Sequence, residues 1–213
     1  LHVCTASAQN LVVYCTDGTQ IQLPIDEIDS LCITPELPFE PTAVDLGLSV
    51  LWATCNVGAT TPEDYGNYYA WGETTTKSEY SEENSLTYGR DMDDISGNAN
   101  YDAARANWGS TWRMPTDAEM EELDYQCTWT WTSQSGVPGC KVTGPNGNSI
   151  FLPAAGYCTG SSCYRVGELG YYWSSTPRES DTYIAFNLRF FSGGHSVDWD
   201  DRYCGRTVRP VSE

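Results

Sequence analysis

The feature that most constrains the fold is the loss of helical periodicity after Cys127. From Thr128 onward, short runs alternate polar and apolar residues with a period of two, and Gly, Pro, Asn and Ser separate them. This pattern is typical of short antiparallel strands joined by tight turns. The strands predicted in this way cover residues 128–132, 139–143, 149–152, 171–173, 184–190, 196–199 and 206–211.

One predicted pair of strands has two different faces. In the strand at 184–190, apolar side chains share one face, namely Ile184, Phe186, Leu188 and Phe190. The opposite face carries Tyr183, Ala185, Asn187 and Arg189. The turn Ser192-Gly193-Gly194 brings residues 196–199 back alongside this strand, so the segment is predicted to be a β-hairpin.

Helical signals occur only before Cys127. Asp102 is suited to cap a helix over residues 103–106, and Thr116 with Glu119 makes a capping box for a second helix. Two short helices followed by a half made of strands and turns predict an α+β fold.

Sequence composition also divides the chain into segments. Ala6-Ser7-Ala8 places small residues where signal peptidase prefers them, so export through a signal peptide to the cell surface or the medium is expected. A lipoprotein signal acylated at Cys4 is the alternative. The predicted segments are a signal-peptide remnant at 1–8, a small β-hairpin unit at 9–34, a Pro-rich linker at 35–43 and the main domain at 44–213.

Charge and hydropathy exclude two classes of protein. With 29 acidic and 11 basic side chains, the net charge of −18 excludes a generic nucleic-acid binder. No apolar run approaches eighteen residues, which argues against a transmembrane helix. The acidic excess lies in residues 1–125, whereas residues 126–213 carry seven charges of each sign. Recognition is therefore expected in the neutral, aromatic C-terminal half.

The cysteines favour disulfides over a metal site. Without Cys4 the chain has an even number of cysteines, which is typical of an exported protein with disulfides. No CxxC motif is present, and His195 is the one histidine left after the leader, so no zinc-ligand spacing occurs. The predicted pairs are Cys15 with Cys32, Cys55 with Cys127, and Cys158 with Cys163.

Several sequence blocks, taken in order, resemble a known family. They are 44–50 (VDLGLSV), 52–59 (WATCNVGA), 69–73 (YAWGE), 107–116 (NWGSTWRMPT), 152–156 (LPAAG), 172–175 (YWSS) and 208–211 (VRPV). Together they resemble the Fibrobacter succinogenes major paralogous domain over nearly all of residues 44–211. The resemblance implies a C-type-lectin-like fold, related to the formylglycine-generating enzyme and to the variable proteins of diversity-generating retroelements. Such proteins occur among the exported proteins of gut Bacteroidetes.

The same resemblance implies a binding function. In retroelement variable proteins the C-terminal segment presents randomised residues as a ligand face, and residues 173–211 are similar to such a segment. Aromatic, arginine and small polar side chains are also what protein-binding surfaces use. The predicted ligand-binding residues are Arg178, Ser180, Asp181, Tyr183, Arg189, His195, Asp198, Trp199, Asp200, Asp201, Arg202 and Tyr203. The sequence is thus interpreted as an exported, non-enzymatic ligand-binding or adhesion protein with a protein or glycan partner.

A calcium-dependent lectin is the first alternative. Asp198, Asp200 and Asp201 resemble the Trp-Asn-Asp stretch with which sugar-binding C-type lectins hold calcium, although Asp200 stands in the place of Asn. Residues 91–102 begin like an EF-hand loop but lack its turn glycine, since Ser96 occupies that position. A solvated acidic loop is the other interpretation of both segments.

An oxidase of the formylglycine-generating type is the second alternative. That chemistry needs reactive cysteines placed together. Cys158 and Cys163 lie in a Gly/Ser-rich loop, however, and structural disulfides account for them more simply. No dinucleotide or phosphate-binding motif is present either, so no enzymatic activity is expected.

Overall fold

The structure is a computed structural model that describes residues 2–3, 10–14, 20–24 and 40–213. The chain divides into two compact units, Leu1–Phe39 and Glu40–Glu213. Their boundary falls within the predicted linker 35–43, of which residues 35–39 lie outside the described residues.

The first unit contains a three-stranded antiparallel sheet. Its strands are β1 (His2–Val3), β2 (Asn10–Tyr14) and β3 (Gln20–Pro24), with β2 in the centre. β2 and β3 form a hairpin where one was predicted. β1 lies in the segment predicted to be a signal-peptide remnant, and that assignment stays a prediction.

The second unit begins and ends in one small sheet. β4 (Ala43–Val44) pairs with β5 (Leu51–Ala53), and β5 pairs on its other side with β14 (Val211–Ser212). Trp52 lies opposite Val211, and both are buried. The two ends of this unit are therefore joined by backbone hydrogen bonds.

Both helices begin where their caps were predicted. α1 (Ala103–Trp108) starts after Asp102, whose carboxylate accepts a hydrogen bond from the Arg105 amide at 2.9 Å. α2 (Asp117–Gln126) starts after Thr116, which makes a full capping box with Glu119. The signals are local, and the structure confirms both predictions.

Three antiparallel sheets form most of the C-terminal half. The first has β6 (Thr128–Gln134), β7 (Val137–Thr143) and β8 (Ser149–Pro153), and the second has β9 (Tyr157–Thr159) and β10 (Ser162–Tyr164). The third has β11 (Leu169–Pro177), β12 (Ile184–Phe191) and β13 (Gly194–Asp201), with β12 in the centre. The strands predicted between residues 128 and 199 are confirmed.

The final predicted strand, 206–211, is wrong for most of its length. Regular pairing is confined to β14, and the residues before it make single bridges, Arg206 with Tyr69 and Thr207 with Tyr172. Both of these tail residues are buried. The alternation of polar and apolar residues at 206–211 therefore corresponds to a buried extended segment that crosses the core. It does not correspond to a strand of a sheet.

Two hydrophobic clusters lie on opposite sides of β12. Leu188 and Phe190 pack in the first cluster with Leu123 of α2, whereas Ala185 packs in the second with Trp173 and Ala104. Because the central strand is enclosed on both faces along part of its length, its surface-accessible residues lie mainly at its two ends.

The architecture is α+β, with two helices and several antiparallel sheets. Among the described residues, no helix is long and apolar enough to cross a membrane.

Candidate functional site

The predicted ligand-binding residues separate towards the two ends of the β12–β13 hairpin. Tyr183 lies just before β12, whereas Arg189 lies near the turn at its far end. They are six positions apart along extended strand, a distance of about 20 Å. The predicted set is therefore not one site, and each end of the hairpin has its own surroundings.

Three tyrosines meet at the end of the hairpin away from the turn. The Tyr88 ring contacts the Tyr183 ring edge-to-face at 4.8 Å between centroids, and the Tyr203 ring at 5.3 Å. Tyr183 is 51% exposed. We refer to Tyr88, Tyr183 and Tyr203 as the tyrosine patch. It brings together a loop residue, the residue before β12 and a residue just after β13.

Arg202 lies beneath the patch and holds its segments together. Its Nε donates to the carbonyl of Ile184 at 3.0 Å, and its Nη1 donates to the carbonyl of Arg90 at 2.8 Å. The guanidinium also lies 4.4 Å from the centre of the Trp71 ring. Arg202 is 1% exposed, so its prediction as a ligand-contacting residue is wrong. It positions Tyr88 and Tyr183 instead.

Backbone hydrogen bonds reinforce the same junction. The Gly89 amide donates to the Thr182 carbonyl at 3.1 Å, and the Arg202 amide donates to the Tyr183 carbonyl at 2.9 Å. The loop residues beside Tyr88 are thus paired with the chain on either side of Tyr183. Contacts between backbones fix the relative position of the rings before any ligand arrives.

Carboxylates give the patch a negative potential. Burial raises the pKa of Tyr88, and the nearby charges of Asp201, Glu82 and Asp181 raise it further. Burial, with Asp201 among the neighbouring groups, raises the pKa of Tyr203 to about 12. Asp201 and Glu82 act on both Tyr88 and Tyr203, and Asp181 acts on Tyr88, so the surface favours cationic groups.

Trp199 and Arg178 form a second exposed pair near this end of the hairpin. Trp199 lies opposite Phe186 and is 49% exposed, and the Arg178 guanidinium stacks 4.2 Å from the centre of its ring. Ser180, in the same loop as Arg178, lines a pocket of about 320 Å³ together with Asp117 of α2. The Arg178 side chain makes no hydrogen bond or ion pair with any residue that the structure describes.

The predicted calcium set is not assembled. Successive strand residues point to opposite faces, so Asp201 lies on the other face from Asp198 and Asp200. Asp200 forms an ion pair with the buried Arg206, and Asp198 accepts a hydrogen bond from the Trp199 amide. No group of three metal-ligating side chains occurs in the described part of the chain. The three-carboxylate site is therefore wrong.

The segment resembling an EF-hand uses its acids for other contacts. Asp94 accepts hydrogen bonds from the hydroxyls of Ser175 and Thr176 at 3.1 and 2.7 Å. Asp102, at the last position of the motif, is the buried cap of α1. These carboxylates connect the loop to β11 and α1.

His195 lies at the turn end of the hairpin and faces α2. Its Nδ1 is 2.6 Å from the Asp124 carboxylate, and its ring stacks on Trp129 at 4.7 Å. The interaction joins β13 to α2 and to β6, so His195 contributes to packing and does not contribute to the tyrosine patch.

Of the two predicted disulfides that lie within the described residues, one is present. Cys158 and Cys163 form a disulfide, as predicted, whereas Cys55 and Cys127 are unpaired, so that predicted pair is wrong. Cys55 contacts the Thr54 hydroxyl, and Cys127 ends α2 beside the first cluster. The positions of Cys55 and Cys127 in the sequence did not show whether their thiols are close together in the fold. The predicted Cys15–Cys32 pair lies outside the described residues.

The remaining free thiols are shielded. Burial raises the pKa of Cys204 to about 11 and that of Cys140 to about 12. Both therefore stay protonated and weakly nucleophilic at neutral pH.

Sequence analysis missed Tyr88 and Glu82. Both lie in the acidic loop that precedes α1, about a hundred positions before Tyr183. Their local sequence indicates only an irregular excursion, and no pattern within that loop points to the hairpin. Only the folded contacts place them at the candidate site.

Comparisons with known proteins add no assignment. No protein-family model matches the chain, and no curated protein or solved structure matches it significantly. The candidate site is therefore argued from its geometry.

Proposed function

We propose that this chain is an exported ligand-binding or adhesion protein whose ligand face is the tyrosine patch with the adjoining Trp199–Arg178 pair. The proposal takes the main domain to be C-type-lectin-like and the partner to be a protein or glycan at a cell surface. The observation that carries it is a cluster of half-exposed aromatic side chains held in place by the buried Arg202.

Aromatic anchors of this kind suit binding because they provide a large contact area with few rotatable bonds. Tyr, Trp and Arg are also the residues that most often dominate binding energies at interfaces. Tyr183 and Trp199 are each about half exposed, although large aromatic side chains more often lie inside a fold. A ligand covering them would bury apolar area that the free protein leaves in water.

The charge around the patch selects the partner's chemistry. Asp181, Asp201 and Glu82 all act electrostatically on Tyr88. A protein surface with lysine or arginine side chains, or a cationic sugar, would therefore be preferred over an acidic one. Because these carboxylates are partly exposed, the preference should weaken as salt is added.

Retroelement diversification, where it operates, would act on the same residues. Ser180, Asp181 and Tyr183 lie in a loop that carries exposed side chains, and substitutions there leave both hydrophobic clusters intact. Arg202 and the buried tail from Cys204 to Arg209 are unsuited to variation. Diversified positions are thus expected before residue 204, with Arg202 fixed.

The test is a binding screen with matched variants. The purified chain is screened against a panel of extracellular proteins and a glycan array. The double variant Tyr183→Ala/Trp199→Ala should lose about 30-fold or more in affinity for any ligand found. Tyr125→Ala is the control. Tyr125 is 80% exposed on α2 and belongs neither to the tyrosine patch nor to the Trp199–Arg178 pair.

A ligand that binds the double variant as tightly as the wild type would show that the face lies elsewhere. Binding that disappears with a calcium chelator would favour the lectin alternative instead.

A further inference from the structure

A second pocket lies at the turn end of the hairpin, remote from the tyrosine patch. It has a volume of about 490 Å³, which is within the usual range for small-molecule sites. Its walls combine arginine, aromatic and loop residues, among them Arg165, Glu168, Arg189, Trp131 and Phe191. This combination differs from the acidic surface at the other end.

Arg189 supplies a guanidinium without a counter-ion. Its side chain forms no ion pair or hydrogen bond with the residues that the structure describes, and its Nε is buried without a partner. The guanidinium carbon lies 5.4 Å from the ring centre of Phe191 and 6.0 Å from that of Tyr171. Both rings lie within cation–π range of the guanidinium, and its Nη1 and Nη2 donors have no partner among the described residues. A planar group with unused donors fits a carboxylate well.

Arg165 adds a second positive charge on a fixed loop. It is ion-paired with Glu168 at 2.8 Å, and its carbonyl accepts hydrogen bonds from the Glu168 and Leu169 amides. Gly167 in the same loop donates to the Ala154 carbonyl at 2.7 Å. The two arginines and one glutamate give the pocket a net charge of +1 in a chain of net charge −18.

The aromatic walls indicate what carries the anion. Phe191 is 38% exposed, and Trp131 lines the same pocket while half-buried. Aromatic faces pack against the apolar face of a sugar ring, whereas a small inorganic anion would leave them in water. The net negative charge of the whole chain would repel a polyanion, so a ligand with one carboxylate is favoured.

We propose that this pocket binds an acidic saccharide, with its carboxylate held by the unpartnered guanidinium of Arg189 and its ring against Trp131 and Phe191. This site is separate from the tyrosine patch and needs no metal ion. It stands or falls independently of the proposed ligand face.

The experiment is a titration of the whole chain followed by NMR. The probes are galacturonic acid and N-acetylneuraminic acid, with galactose and acetate as the neutral-sugar and simple-anion comparisons. Either acidic sugar should shift the Arg189 Nε–Hε and Trp131 indole signals, with an affinity at least about tenfold above that of galactose or acetate. Galactose or acetate binding equally well would overturn the proposal, as would the absence of binding at millimolar acidic sugar.

Variants separate this pocket from the rest of the hairpin. Arg189→Gln should abolish the shifts, and Arg189→Lys should weaken binding because the two-pronged donor is lost. Arg178→Gln makes the same charge change at the far end and should leave the affinity unchanged within about twofold. Phe191→Ala should weaken the binding of the acidic sugar more than the binding of acetate. Unaltered binding by a folded Arg189→Gln protein would contradict the assignment.

Discussion

Two arginines of the C-terminal segment lie at nearly the same distance from a tryptophan ring but in opposite surroundings. Arg178 lies 4.2 Å from the ring centre of the half-exposed Trp199, and Arg202 lies 4.4 Å from that of the buried Trp71. Arg202 also donates to backbone carbonyls, whereas the Arg178 guanidinium makes no hydrogen bond within the described residues. Stacking alone therefore does not distinguish scaffold from ligand face, but the partners of the guanidinium do.

The same distinction extends along the chain. Arg209 donates to the Asn56 side chain and to the carbonyls of Ala53, Thr54 and Phe151. It connects β5 to β8 from inside the core. The tail is therefore expected to control stability, whereas the loop at 178–183 and the hairpin end are expected to control binding.

The largest effect is expected at Arg209. Arg209→Met should lower the free energy of unfolding by about 4 kcal/mol, because it leaves several buried acceptors unpaired at about 1–3 kcal/mol each. Urea denaturation measures this. Arg178→Met is the matched control and should change stability by about 0.5 kcal/mol or less. If both variants lost the same unfolding free energy, the buried tail would not control stability more than the loop at 178–183 does.

A smaller effect, with a local signature, is expected at Arg202. Arg202→Met should lower the unfolding free energy by about 3 kcal/mol, since the carbonyls of Ile184 and Arg90 lose their donor. It should also weaken the nuclear Overhauser contacts between the Tyr88 and Tyr183 rings. A destabilised variant in which those contacts are unchanged would show that Arg202 does not position the patch.

The caps and the hairpin were predictable because their determinants are adjacent in sequence. Thr116 and Glu119 are three residues apart, and the turn at 192–194 joins strands that pair directly. The tyrosine patch was only half predictable, because Tyr88 contacts Tyr183, which lies 95 positions later in the chain. The buried tail was predicted wrongly as a sheet strand. Its arginines alternate with apolar residues as they would in a half-exposed strand, and the sequence does not show that they are buried and hydrogen-bonded inside the core.

An intermediate loss of stability that depends on pH is expected when the cap of α2 is altered. This cap belongs to the scaffold. Burial alone would raise the pKa of Glu119, but its hydrogen bonds with Arg113 and the Thr116 amide outweigh burial and lower it. The stabilisation is thus present above the ordinary glutamate pKa and lost as pH falls through the lowered value. Glu119→Gln should lower the unfolding free energy by about 1–2 kcal/mol at neutral pH.

Denaturation of wild type and Glu119→Gln across acidic pH checks the sign. Their difference should shrink as the pH falls. A difference that grows in acid would contradict the cap assignment.

Asp201, beside the patch, should show the opposite behaviour. Burial and the neighbouring charges of Asp200 and Glu82 raise its pKa, so the folded state binds its proton more tightly than the unfolded state does. Its contribution to stability therefore falls as the pH rises through the raised pKa. Asp201→Asn should slightly stabilise the chain at neutral pH and have no such effect in acid, as thermal melts at both pH values would show. Destabilisation at neutral pH would contradict this.

The smallest effects on stability are expected in the ligand face itself. Tyr183→Ala and Trp199→Ala should each change the unfolding free energy by about 1 kcal/mol or less, because both side chains are already half exposed. Urea denaturation beside the Tyr125→Ala control measures this. A loss of several kcal/mol would show that these aromatics are structural.

The most direct measurement is a deep mutational scan of residues 173–211, scored by how much folded protein each variant displays on a cell surface. We expect positions in the ligand face to accept most substitutions, namely Arg178, Ser180, Asp181, Tyr183 and Trp199. Trp173, Arg202 and Arg209 should accept almost none. Equal intolerance in the loop and the tail would contradict the division of this segment into a ligand face and a scaffold.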